Sequence, residues 1–105
     1  MNISELQTKS ASDQELVLPL ASALEALGIL ERSGVVVLGW EGWLRYPDGR
    51  LGHSAKHQGT SSEQLATPPE QRAWLSRTMR LSQSEHDASP EIPGSELLFC
   101  ITAGA

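Results

Sequence analysis

The sequence predicts one α+β domain of order α-β-β-α-β, built on a mixed or antiparallel sheet of three to four strands with two helices packed on one face. Three segments carry that reading. Val35 to Ser54, VVVLGWEGWLRYPDGRLGHS, gathers two of the three Trp and the one Tyr around a turn signal. Thr67-Pro68-Pro69-Glu70 is a helix start, and Leu97-Leu98-Phe99-Cys100-Ile101-Thr102 is an apolar closing strand. The length of 105 residues suits a single domain, so 1–105 is read as one unit with one core.

Residues 1–11 are polar and weakly patterned, which predicts a loosely ordered lead-in or a short turn of helix. Ser12-Asp13-Gln14-Glu15 then has the capping-box pattern, so a helix is expected to begin nearby. Val17, Leu20, Leu24 and Leu27 fall on one helical face, and Pro19 implies a kink or, by preference, a restart at its first turn. Gly28 and Gly34 can each take the left-handed cap; the pattern running on to Arg32 favours the later one.

Val35-Val36-Val37-Leu38 is apolar without interruption, as in a strand covered on both faces. Unbroken alternation would put Val36, Leu38, Trp40, Gly42, Leu44 and Tyr46 on the core face, and Glu41, Trp43 and Arg45 on the other. Gly39 or Gly42 could mark a bulge, which would swap the faces beyond it and so governs where Trp43 points. Pro47-Asp48-Gly49 reverses the chain, with Arg50 to about Ala55 pairing back. The Gly, Ser, Thr, Gln and Pro content of 59–69 reads as a surface loop. Beyond the Thr67 cap, Trp74, Leu75, Thr78, Met79 and Leu81 form an apolar stripe that fades near Ser84, with Arg72, Arg77 and Arg80 off it. Trp40 and Trp74 are both expected in the core.

A formal charge of −5 argues against nucleic acid or an anionic membrane surface as partner and suits a basic one. One Cys, no apolar run near the roughly 20 residues of a membrane span, and no basic-then-apolar start favour a cytoplasmic protein.

No catalytic or cofactor motif stands out, so neither a cofactor nor enzymatic activity is expected. His53 and His57 are four apart, and on a regular strand would point the same way like half a metal site, but no further ligands stand at a recognisable spacing. Ser54 beside His53 lacks a nucleophile elbow, and adjacent strand residues face opposite ways. Cys100 in an apolar strand reads as a small hydrophobe. Glu41 between Trp40 and Trp43 would have a raised pKa if desolvated, yet pairing with Arg45 or plain solvation is the simpler reading.

The Gly39-Trp40-Glu41-Gly42-Trp43 strand running into Tyr46-Pro47-Asp48-Gly49, the closing Phe99-Cys100-Ile101-Thr102, and the small acidic chain together resemble small bacterial immunity proteins of polymorphic or contact-dependent toxin systems. The resemblance spans about a quarter of the chain. It implies a non-enzymatic cytosolic inhibitor that covers a toxin domain, often a basic nuclease, and brings no particular residue with it. From the residues themselves, the expected contacts are the acidic Glu25, Glu31, Glu41 and Asp48, with Trp43 and Tyr46 as anchors. The competing expectation is a small enzyme or small-molecule binder with a pocket beside Trp40, Glu41, His53 and His57, and a third is a homodimer through the hairpin edge.

Overall fold

The structure, a computed structural model, describes residues 3–12, 14–60 and 67–103. In chain order the elements are α1 (Ile3–Lys9), β1 (Leu16–Leu18), α2 (Leu20–Arg32), β2 (Val37–Arg45), β3 (Leu51–Thr60), α3 (Pro68–Ala88) and β4 (Glu96–Ala103). The strands form one antiparallel sheet of order β1-β4-β2-β3. The α+β class is as expected, enlarged by α1 and β1.

Residues 3–9, read as a loose lead-in or a short turn of helix, form a helix whose Leu6 is fully buried. The capping bonds at Ser12 do form, its Oγ accepting from the N–H of Gln14 and of Glu15 at 3.2 Å. No helix grows from them. A helix through Pro19 would lose an N–H donor, and Leu16-Val17-Leu18 instead complete a ladder with β4. Val17 therefore belongs to the sheet, and α2 restarts after Pro19, which sits at its N-cap. The helix runs to Arg32, and Gly34 beyond it has φ +75°, the left-handed region that Gly takes without strain.

The hairpin closes with the Tyr46 N–H donating to Arg50 O and the Gly49 N–H to Tyr46 O, both at 2.8 Å. Its return strand reaches Thr60, beyond the expected end near Ala55; of the loop expected at 59–69, residues 61–66 lie outside the described residues. In α3 the Thr67 Oγ1 caps the Glu70 N–H, as its sequence predicts. The helix then continues past Ser84 because Leu75, Met79, Ser82 and His86 recur on one buried face. Trp74 and Leu81 leave the expected stripe: Leu81 is 60 % exposed, and Trp74 lies at the surface with its indole N–H donating to Thr60 O.

α2 and α3 cover one sheet face, and Leu6, Leu27, Leu30, Trp40, Leu44, Leu75, Met79, Leu97, Phe99 and Ile101 meet there. Trp40 packs edge-on against Phe99 at 5.0 Å, and its indole N–H donates to Thr78 Oγ1 at 2.9 Å. The Val35–Leu38 run is not covered on both sides. A bulge between Val37 and Gly39 turns Val37 into the core and leaves Val36 and Leu38 about half exposed. Beyond it Trp40, Gly42 and Leu44 face inward and Trp43 outward.

Candidate functional site

Strand register assembles the outer sheet face row by row. Val17, Cys100, Glu41 and Gln58 stand side by side across β1, β4, β2 and β3; Leu98, Trp43 and His53 form the next row; Glu96, Arg45 and Leu51 the third. Val17, Leu98 and Cys100 are buried as a small cluster of their own, over which Ala11 and Trp43 pack. Ala11 is brought there by the turn before β1, where its N–H donates to Val17 O and Ser10 Oγ accepts from the Val17 N–H. Trp43 is half-buried at the middle of this face, its ring 4.8 Å from that of His53. The indole nitrogen is buried with no hydrogen-bond partner among the described residues.

Charge surrounds that indole. Glu41 is exposed and stands 3.6 Å from His53 Nδ1, and Arg45 is 3.6 Å from Glu96. The expected Glu41–Arg45 pairing is thus replaced by two cross-strand pairs. Burial pushes the Cys100 thiol up to about 11, with Glu15 and Glu41 adding to the rise, so both carboxylates bear on this face and the thiol is unreactive.

The other expected contact residues lie elsewhere. Asp48 sits on the hairpin turn, its carboxylate 2.6 Å from Arg50 Nε, and Tyr46 leans half-buried against the inner core. Glu25 is exposed on α2, while Glu31 near its end is 2.9 Å from Arg72 Nε of α3. Glu31 and Arg72 also border an apolar pocket lined by Leu27, Val35, Val37 and Leu75. Only Glu41 and Trp43 share the outer face.

The four residues of the competing pocket are separated as well. Trp40 and His57 are buried, whereas Glu41 and His53 are exposed on the outer side. The parity of the His53–His57 spacing fails because β3 bulges: Glu41 pairs with Gln58 and Trp43 already with His53, so residues 54–57 take up the excess opposite Gly42. A Cβ at position 42 would lie 2.8 Å from the His57 carbonyl oxygen and 2.9 Å from its Cβ, so the bulge folds back onto a residue that must be Gly. Among the described residues no group of three or more His, Cys, Asp or Glu could hold a metal ion.

Sequence reasoning missed a polar cluster at this bulge. Ser54 Oγ accepts the N–H of Lys56 and of His57 and donates its own hydrogen to Glu91, whose other oxygen accepts the Ala55 N–H at 3.2 Å. The Ser54 hydroxyl is thereby used up structurally and has no imidazole to activate it. Desolvation alone would raise the Glu91 pKa, but the hydrogen bonds from Ser54, Ala55 and Lys56 and the nearness of His57 outweigh it and hold the carboxyl below its ordinary value. Continuing the α3 core stripe to its fourth member would have marked His86 as buried. Nothing in the sequence pairs it with His57.

Comparison of the chain with protein-family models, with curated proteins and with solved structures finds no match. No helix among the described residues is long and apolar enough to cross a membrane.

Proposed function

We propose that the chain is a non-enzymatic protein-binding module whose outer sheet face receives a basic protein, and that it acts as a cytoplasmic immunity protein neutralising a toxin domain. The observation that supports this most is Trp43: a half-buried indole at the centre of a sheet face on which neither large helix packs, ringed by Glu41, Arg45, His53 and Glu96. A rigid aromatic anchor inside a charged rim is the arrangement that concentrates binding energy in protein interfaces. The net charge of −5 supplies long-range attraction to a cationic partner, which accelerates encounter. Glu25, Glu31, Tyr46 and Asp48 lie off this face and are not needed by it. A pocket enzyme is less well supported, because its four residues divide between the inside and outside of the sheet.

An immunity protein's coding sequence should directly follow that of a large secreted protein with a variable C-terminal domain; the test is co-expression with that domain, followed by calorimetry on the purified pair, and a gene with no such neighbour counts against the reading. Growth should be protected and binding should be stoichiometric. Affinity should fall as salt rises and by at least roughly tenfold in Trp43→Ala, the loss expected of an anchoring Trp, while Glu25→Gln leaves it unchanged. Absence of binding, or binding indifferent to Trp43, would overturn the reading.

A further inference from the structure

His57 and His86 are each 3 % exposed, and their rings stand 6.4 Å apart and nearly perpendicular. His86 Nε2 donates to Ser95 O at 2.9 Å, which leaves Nδ1 as its bare nitrogen. That Nδ1 and the Nε2 of His57 are both buried without a hydrogen-bond partner among the described residues. His57 ends the β3 bulge, His86 is in the last turn of α3, and the connection after α3 brings Glu91 back onto the bulge. Three elements therefore meet around two buried imidazoles, each with one ring nitrogen that has no hydrogen-bond partner among the described residues.

We propose that this junction is an acid-operated latch: protonation of His57 drives the bulge at 54–57 out of its seat between Gly42 and His86 and uncovers β2 at Gly42. The groups bearing on His57 are Glu91 from the connection, Glu85 and His86 from α3, and Lys56 from its own strand; β2 presents Gly42 there, without charge. Desolvation is the largest influence and lowers the His57 pKa, with Lys56 and His86 acting in the same direction; Glu91 and Glu85 oppose it without prevailing. The sign follows. A His that titrates lower folded than unfolded makes no difference above about pH 6.5, and below it protons bind preferentially to the opened form. Glu91 holds its charge throughout that window, since its own pKa lies below the ordinary carboxyl value. The latch is a property of this chain alone and does not depend on any partner.

Amide hydrogen exchange across the chain, corrected for intrinsic rates, tests it between about pH 7.5 and about pH 5.5, together with an NMR titration of the imidazole resonances. Protection of the Ala55, Lys56 and His57 amides should fall roughly tenfold more than that of Phe99 in the central strand, in step with the His57 resonance. His57→Gln, neutral at every pH, should abolish the difference. Equal pH dependence at the bulge and at Phe99, or a bulge that opens with His57 still neutral, would overturn the proposal. Should His57→Gln fail to fold, the wild-type resonance and exchange data decide by themselves.

Discussion

Two residues do more than their type announces. Gly42 is a glycine because the β3 bulge lies directly upon it, with the His57 carbonyl oxygen and Cβ and the Ser54 Cβ all within 3.0 Å of where a side chain would begin. Gly42→Ala must displace backbone on both strands. The expected cost is about 1–3 kcal/mol, measured by urea denaturation, and it is the cost of overpacking rather than of helix or strand propensity. Trp43 shields Cys100, which is 5 % exposed and whose thiol burial holds well above the ordinary range. Trp43→Ala should therefore speed thiol modification of the folded protein by a disulfide reagent near neutral pH, whereas His53→Ala should leave it slow. Equal rates in the two variants would show that Trp43 is not the cover.

At the scale of elements, what the sequence made legible was local chemistry. The Pro47-Asp48-Gly49 turn fixed the hairpin, and Thr67 with Glu70 fixed the start of α3, because each pattern satisfies backbone groups a few residues away. Ser12 shows the limit of that logic. Its capping bonds form, but the following apolar residues find better partners in β4, a strand some eighty residues on. For the two bulges, Gly39 and Gly42 announced the irregularity, as expected, but not which strand carries the excess or how long it is. A shift of one residue at Val37–Gly39 sends Leu38 outward, and the longer excess in β3 parts His53 from His57; neither is written in the alternation of residue types. The Ser54–Glu91 junction that holds the second bulge gives a stability prediction of its own. Native stability should be level above about pH 6.5, decline as His57 protonates, and drop again below about pH 4.5 as Glu91 loses its charge. Denaturation curves across pH, with His57→Gln and Glu91→Gln removing the first and second declines, check both parts.

For the whole molecule, the decisive feature is asymmetry. α2 and α3 occupy one face of the sheet, and among the described residues the buried cluster on the opposite face is covered by Ala11 and Trp43. The candidate site was half legible: Glu41 and Trp43 were rightly placed on one strand face, but the acids of α2 and the hairpin turn could be assigned to surfaces only once the packing of helices on the sheet was known. The proposed function puts a basic protein on this outer face. Its most direct test is a chemical-shift footprint: backbone amide and indole spectra recorded while the purified toxin domain is titrated in. The Trp43 indole and the amides of Glu41, Trp43, Arg45, His53 and Gln58 should shift first and furthest, with those of Glu25 and Glu31 unmoved. A footprint centred on α2 and α3, or none at stoichiometric partner, would contradict it.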